Sequence, residues 1–257
     1  MGDEVLSSRD GAVLTITLNR PEVYNAFNRE VHAALHEALT EAQDPTIRSV
    51  VVTGAGKGFC AGQDLKEFGA VSASIREALE ETYHPNVRLV RALEKPVIAA
   101  VNGPAAGAGL SFACACDVRV ASDAATFVPG FVGIGLVPDS GGTWFIHRLL
   151  GFARAFEWMT SNRRLTAAEA HAWGLVSEVI EADSFPARVA ERAAELAAAP
   201  TRAIALTKRL YDEAATSTLE EQLEREAAAQ AEAAQTDDFR EGVAAFGEKR
   251  EPRFQGR

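Results

Sequence analysis

The sequence KPVIAAVNGPAAGAG occupies residues 95–109 and decides the fold class. A short apolar run follows Pro96 and ends at Asn102-Gly103, which predicts a strand buried on both faces and closed by a turn. The small residues that come next predict the start of a helix. The first N–H groups of a helix have no partner within it, so such a segment can bind an oxyanion or a phosphate.

Similar short strands are predicted on both sides of this segment. Residues 12–18 alternate as a strand does, and residues 50–53 and 117–121 indicate buried strands. Helical patterns separate them: one begins after Asn28 and another covers residues 72–93. Strands that alternate with helices predict an α/β fold with a largely parallel sheet, and the repeat of short strands and helices indicates a spiral.

The composition changes to alanine and charged residues from about residue 166. Residues 187–199 and 219–234 have apolar residues at helical spacing. We therefore expect a core over residues 1–195 and a helical C-terminal region over residues 196–257. Such helices pack either on their own chain or on a partner subunit.

The charge balance of 26 basic and 36 acidic residues gives −10, which argues against nucleic acid as a partner. The only marked basic cluster is the tail at residues 248–257, which includes Lys249 and is either a solvated tail or a site for an anionic ligand. No segment approaches the roughly 18 apolar residues that would span a membrane, and no leader pattern is visible, so we expect a cytoplasmic protein. The three cysteines are expected to be reduced and buried, and no metal site is predicted.

A second loop of small residues, FCAGQDL at residues 59–65, would let a ligand approach the main chain. Together with residues 102–109 it could supply two backbone donors to one carbonyl oxygen. Glycine-rich turns also serve close packing, and this alternative stays open. Neither loop matches a phosphate loop or a nicotinamide fingerprint, which disfavours nucleotide hydrolysis and hydride transfer.

One carboxylate, Asp139, stands among the apolar and small residues of IGLVPDSGGTW at residues 134–144. A carboxylate in such surroundings should have a raised pKa and could act as an acid or a base. The same residue in front of Ser-Gly-Gly also fits a helix N-cap. The sequence pattern leaves both interpretations open.

Seven segments in this order resemble the enoyl-CoA hydratase/isomerase, or crotonase, superfamily. They are LNRPEVYNAFN (18–28), TGAGKGFCAGQDL (53–65), KPVIAAVNGPAAGAG (95–109), CDVRVAS (116–122), GLVPDSGGTW (135–144), LTAAEAHAWGLVSEV (165–179) and FGEKREPRFQGR (246–257). The resemblance implies a ββα-spiral core with a helical trimerisation region. It also implies an acyl-coenzyme A substrate without a separate cofactor, in a homotrimer or a dimer of trimers.

The resemblance also implies roles for particular residues. The backbone N–H groups of Gln63 and Ala108 would form an oxyanion hole over which Asp139 acts. The remaining residues implied to contact the acyl group or coenzyme A are Ala26, Ala61, Asp64, Leu65, Lys66, His84, Gly107, Phe131 and, from the tail of a neighbouring subunit, Lys249.

This sequence departs from the superfamily pattern at positions that bear on which reaction is catalysed. Hydratases carry two catalytic glutamates, and these positions read Ser111 and Phe131 here. The loop around Asp139 is instead similar to the branch of ring-epoxide and Δ3,Δ2-enoyl-CoA isomerases. This implies a 1,3-proton shift through an enolate, with Asp139 as the single acid and base.

Three other functions stay open, and the first is a hydratase-like activity. The second is that of an aryl-CoA dehalogenase or hydrolase. Asp139 lies where 4-chlorobenzoyl-CoA dehalogenases place a nucleophile and His84 where they place a histidine, although their tryptophan reads Phe131 here. A lone histidine beside Tyr83 and Pro85 is more often a pocket or surface residue. A scaffold or RNA-binding module is the third possibility, which the acidic charge and the intact Asp139 oppose.

Overall fold

The computed structural model describes residues 3–64, Lys66 and residues 75–257, and this part of the chain contains two sheets. In spatial order the main sheet contains β1 (Val5–Asp10), β2 (Val13–Leu18), β3 (Ser49–Gly54), β4 (Val97–Val101), β6 (Val118–Ser122) and β9 (Glu178–Ile180). The small sheet contains β5 (Ala105–Ala106), β7 (Thr126–Val128) and β8 (Leu165–Thr166).

Parallel pairing dominates the main sheet. Only β1 runs antiparallel, to β2, while β2, β3, β4, β6 and β9 pair in parallel with their neighbours. The register places Val50 beside Val97 and Val52 beside Ala99. Since the carboxyl ends of parallel neighbours lie at one edge of a sheet, the loops after β3 and β4 are brought together.

Helices connect and cover the strands. They are α1 (Arg29–Glu41), α2 (Ile75–Ala78), a π-helical turn (Leu79–Tyr83), α3 (His84–Ala92), α4 (Ala108–Ala115), α5 (Gly142–Leu150), α6 (Phe152–Ser161), α7 (Ala167–Ala172), α8 (Phe185–Ala198), α9 (Thr201–Ala214), α10 (Leu219–Ala233) and α11 (Asp237–Glu248). Short 3-10 turns cover Pro21–Val23 and Val132–Ile134. As predicted, a helix begins after Asn28, and the structure shows that the Asn28 side chain caps α1 by accepting a hydrogen bond from the Val31 N–H.

Both faces of the central strands are buried, which explains their continuous apolar pattern. One face belongs to the larger core with α1 and α4, and the other packs against α8 through Phe185, Val189 and Ala193. The three cysteines are free and buried, as expected.

Some expectations need correction. The pattern did not predict β1, whose side chains are mostly exposed and therefore give no apolar alternation. The region after residue 166 contains β9, a strand too short to show a period of its own, which extends the main sheet beside β6. The predicted division at residue 195 falls within α8, which packs on the sheet, and the division stays a prediction. Of the helix predicted from residue 72, the first three residues lie outside the described residues.

Candidate active site

The loop after β3 presents the Gln63 N–H away from the protein core. Phe27 donates from its backbone N–H to the Gly62 carbonyl at 2.7 Å, and its own carbonyl accepts from the Asp64 N–H at 2.9 Å. In an extended segment, successive N–H groups point to opposite sides. Because the flanking residues pair with Phe27, the Gln63 N–H faces the other way, and no described group accepts its hydrogen bond.

The loop after β4 presents a second N–H at the start of α4. Gly107 has φ 53° and ψ −127°, a conformation that only glycine adopts readily, and it turns the chain into the helix. Ala108 is therefore the first helical residue, and its N–H has no partner within the helix. No acceptor for this N–H is found in the part of the chain that the structure describes.

The two loops are in direct contact. Gly62 has φ 87°, and a Cβ atom at this position would lie 2.8 Å from the Ala106 oxygen and 3.3 Å from the Ala108 nitrogen. The amide of Asn102 also joins the loops, since its oxygen accepts from the Gly54 N–H at 3.1 Å. The arrangement fixes two outward N–H groups close together, as an oxyanion hole requires.

Asp139 lies in the loop before α5 and is not its N-cap. The cap position is Gly141, so the N-cap interpretation of Asp139 is wrong. The Asp139 carboxylate accepts a 2.9 Å hydrogen bond from the Ser140 hydroxyl, while its backbone oxygen accepts from the Gly142 N–H. A left-handed residue, Ser140 at φ 53°, directly precedes Gly141 at φ 81°, and this turn holds the aspartate in place.

Burial raises the pKa of the Asp139 carboxyl above its ordinary value, against opposing effects of the Ser140 hydrogen bond and the charge of His84. The expectation of a raised pKa is therefore confirmed. His84, the first residue of α3, is close enough for its charge to act on Asp139.

A cavity of about 430 Å³ unites most of the predicted residues. The predicted residues in its lining are Ala26, Ala61, Gln63, Asp64, Gly107, Ala108, Phe131 and Asp139. Its other walls are mainly apolar and come from Val23, Ile75, Ala78, Leu79, Ala106, Gly130, Ile134 and Leu136, together with Tyr83. A mostly apolar pocket with few polar groups is typical of a ligand site.

Three predicted residues are not in this lining, and one lies outside the described residues. Lys66 is exposed, His84 is half-buried, and Lys249 is an exposed residue at the end of α11. Leu65 lies outside the described residues. The basic tail itself folds back, because Arg250 forms ion pairs with Glu241 and Glu248.

Asp64 has a structural partner as well as a place in the cavity. Its carboxylate forms a 2.9 Å ion pair with Arg20, which also donates to the Ala26 carbonyl. Burial acts to raise the pKa of Asp64, but the hydrogen bonds from Arg20 and the Lys66 N–H lower it overall. This carboxylate therefore stays ionised and holds the first loop.

Sequence reasoning missed Tyr83 as a member of the site. Its hydroxyl donates a hydrogen bond to Oε1 of Gln63, and only 7% of the residue is exposed. It ends the π-helical turn Leu79–Tyr83, a distortion that is often found at functional sites and that leaves no sequence period to detect. Its only sequence signal was its place beside His84.

The described residues contain no group of histidine, cysteine or acidic side chains suited to hold a metal ion. Nor is any helix among them long and apolar enough to cross a membrane.

Comparison with known proteins identifies the family. Residues 8–257 match the family model for enoyl-CoA hydratase/isomerase. The chain is 42% identical to the 1,2-epoxyphenylacetyl-CoA isomerase of Escherichia coli (strain K12) over 100% of both proteins. It is 38% identical to 4-chlorobenzoyl coenzyme A dehalogenase-2 of Arthrobacter sp over 83% of this chain and 79% of that protein. The crystal structure of an enoyl-CoA hydratase from Polaromonas sp. JS666 matches with a TM-score of 0.92 at 39% identity, covering 98% of this chain and 99% of that one. The crotonase fold is thereby confirmed, and the chain belongs to the enoyl-CoA hydratase/isomerase family of enzymes.

Proposed function

We propose that the protein is an acyl-CoA isomerase that moves a double bond from the β,γ to the α,β position of a coenzyme A thioester. One observation carries this proposal. A half-buried carboxylate with a raised pKa, Asp139, shares a mainly apolar cavity with the outward N–H groups of Gln63 and Ala108. One carrier of a proton and one site for an enolate oxygen are sufficient for a 1,3-proton shift.

The proton follows a closed path in this mechanism. Ionised Asp139 removes a proton from the α carbon, and the C–H electron pair forms the enolate, whose oxygen is held by Gln63 and Ala108. The carbonyl then re-forms, the double bond moves to the α,β position, and the protonated Asp139 returns the proton to the γ carbon. No water or redox partner is consumed.

The two backbone donors supply much of the necessary stabilisation. Loss of one oxyanion donor typically costs about 2.7–4 kcal/mol of barrier. The protein positions both N–H groups before substrate binds, through the close contact of Gly62 with the Ala108 segment. The raised pKa of Asp139 makes its carboxylate a stronger base than an exposed aspartate.

Hydration is not supported as the main reaction. Ser111 and Phe131 occupy the positions at which hydratases carry glutamates, and Ser111 is completely buried. Among the described residues, only Asp64 and Asp139 bring carboxylates to the cavity, and Asp64 is paired with Arg20. The described lining residues therefore supply no second unpaired carboxylate for activating water.

The substrate is either an aliphatic 3-enoyl-CoA or a ring epoxide of phenylacetyl-CoA, which the enzyme would open or isomerise through an enolate held in the same way. These substrates would place the enzyme in fatty-acid or phenylacetate metabolism. The similarity to 1,2-epoxyphenylacetyl-CoA isomerase favours the ring epoxide.

We also propose a trimer or a dimer of trimers. Exposed apolar side chains on α11, Phe239, Val243 and Phe246, support subunit contacts there.

To test this function, wild type and Asp139→Asn are each incubated with a 3-enoyl-CoA and with a 2-enoyl-CoA. Conjugation of the 3-enoyl substrate and hydration of the 2-enoyl substrate are measured separately. Wild type is expected to conjugate the 3-enoyl substrate and barely hydrate the 2-enoyl one. The variant should lose about 10²–10⁴-fold in conjugation, the usual contribution of an acid–base group. Fast hydration that survives the substitution would contradict the mechanism.

A second candidate function is dehalogenation of an aryl-CoA, with Asp139 as nucleophile and His84 as base. The electrostatic coupling of His84 to Asp139 favours it, as does the similarity to 4-chlorobenzoyl coenzyme A dehalogenase-2. His84→Gln separates the two functions. Isomerisation should persist in this variant, whereas release of chloride from 4-chlorobenzoyl-CoA, if wild type catalyses it, should be lost.

A further inference from the structure

The cavity contains a polar pair that the proposed proton shift does not use. Gln63 Oε1 accepts the hydrogen bond of the Tyr83 hydroxyl, and both residues line the cavity. The other described lining residues with polar side chains are Asp64, which is paired with Arg20, and Asp139. Among the described lining residues, the pair is thus the uncharged polar feature of a mainly apolar wall.

Two other rings, which stack on each other, contact the Tyr83 ring. The Phe27 ring contacts it edge to face with ring centroids 5.9 Å apart, and the centroid of the His32 ring lies 4.0 Å from that of Tyr83. Asn86 in turn donates to the His32 carbonyl at 3.0 Å. Burial lowers the pKa of His32 to about 4, so this support stays neutral. The direction of the Tyr83 hydroxyl is therefore set before a substrate binds, which reduces the entropic cost of a new hydrogen bond.

The pair can exchange its partner for an oxygen atom of a ligand. A tyrosine hydroxyl donates and accepts, and a glutamine amide carries two donors and an acceptor. A ligand oxygen can replace Gln63 as the acceptor for Tyr83, or accept from Gln63 Nε2, whose contact with the Asp64 carbonyl is long at 3.4 Å. A methyl group at the same place offers neither interaction and separates the pair at a cost.

The position of the pair selects where that oxygen must lie. Gln63 supplies the proposed oxyanion donor from its backbone, and its side chain is short. Two methylene groups separate this amide from the backbone, so it stays within reach of the first carbons of an acyl group whose thioester oxygen the Gln63 N–H would hold. An ortho oxygen on the ring of an arylacetyl group is attached at this distance.

We propose that Gln63 and Tyr83 determine specificity by recognising an oxygen atom that the acyl group carries close to the thioester. The inference rests on the proposed function, because it places the thioester oxygen between the Gln63 and Ala108 N–H groups. Its test measures binding, which does not require turnover.

The experiment titrates the enzyme calorimetrically with 2-hydroxyphenylacetyl-CoA and with (2-methylphenyl)acetyl-CoA, two ligands of similar size. Wild type should bind the hydroxyl compound about tenfold more tightly, the effect expected of one buried hydrogen bond. Tyr83→Phe should reduce the ratio of the two affinities to about one. Tyr211→Phe is the matched control, because it removes a hydroxyl from an exposed tyrosine outside the cavity lining, and it should keep the wild-type ratio.

A second variant guards against misfolding of Tyr83→Phe. Gln63→Met keeps the backbone N–H but removes the amide, and it should also abolish the preference. Equal affinity of wild type for both ligands, or a preference that survives both substitutions, would overturn the proposal. Conjugation of a 3-enoyl-CoA by the same preparation tests the proposed isomerase activity separately. If wild type conjugates this substrate but binds both ligands equally, only the proposed role of Gln63 and Tyr83 in specificity is contradicted. If wild type prefers the hydroxyl ligand but does not conjugate the substrate, only the proposed isomerase activity is contradicted.

Discussion

The hydroxyl of Ser140 donates a 2.9 Å hydrogen bond to Oδ1 of Asp139 from a left-handed backbone conformation, φ 53°. Such a conformation costs about 1–3 kcal/mol for a residue other than glycine and persists only where its surroundings enforce it. Here Gly141 continues the left-handed turn, and the Gly142 N–H binds the Asp139 carbonyl. The turn thus stabilises the ionised form of a carboxylate that burial pushes toward its neutral form.

The pH dependence of activity should reveal this balance. In the proposed mechanism, proton removal needs ionised Asp139, whose pKa burial raises above its ordinary value. Activity should therefore rise with pH through the raised pKa, above the range of an exposed aspartate. The measurement is kcat/KM for a 3-enoyl-CoA across acidic and neutral pH. An acidic limb in the ordinary aspartate range would argue against Asp139 as the base.

Ser140→Ala should move the acidic limb to higher pH, because the lost hydrogen bond acts to lower the pKa of Asp139. A hydrogen bond to a charged group contributes about 1.5–3 kcal/mol, so we expect at least a tenfold loss of kcat/KM at acidic pH and a smaller loss at alkaline pH. Ser177→Ala is the control, since that hydroxyl donates to the Arg119 carbonyl and does not line the cavity. The same loss at every pH would point to displacement of the loop instead.

Asp139→Asn should be at least as stable as wild type at neutral pH. Where the folded pKa of a carboxyl is raised, the unfolded chain loses its proton first as pH increases. Stability then falls between the ordinary and the raised pKa, and it remains lower above that window. The variant lacks this penalty, so its advantage in urea unfolding should be present at pH 7 and shrink as pH falls. A clearly less stable variant at pH 7 would contradict the inferred burial effect.

Gly62→Ala should impair both folding and activity. The residue has φ 87°, and the added Cβ would lie 2.8 Å from the Ala106 oxygen and close to the Ala108 nitrogen. Displacing the hole should cost about 10²–10³ in kcat, as loss of one oxyanion donor does. Gly174→Ala isolates the backbone strain, because Gly174 has φ 81° and open space around it.

Measured side by side, both variants should lose about 1–2 kcal/mol of unfolding free energy from the left-handed conformation. Only Gly62→Ala should lose more and also lose activity. Equal behaviour of the two variants would mean that the contact of Gly62 with the second loop does not position the hole.

The strand after Pro96, the helix after Asn28 and the two small-residue loops could all be predicted, because each depends on a local pattern. β1 and β9 could not, since an exposed edge strand and a three-residue strand leave no alternation to detect. The cap interpretation of Asp139 failed for a similar reason. A sequence shows which residues precede a helix, but the left-handed conformations of Ser140 and Gly141 decide which of these residues occupies the N-cap position.

The sequence by itself determined the α/β class, the family resemblance and most of the residues of the candidate site, because these reside in short segments with characteristic composition. Only the tertiary structure decided how those segments meet. Parallel pairing of β3 with β4 brings together the loops that carry the Gln63 and Ala108 N–H groups, and burial raises the pKa of Asp139. The π-helical turn places Tyr83 against Gln63. Distances, burial and backbone handedness arise from contacts between residues far apart in the chain, and no local pattern records them.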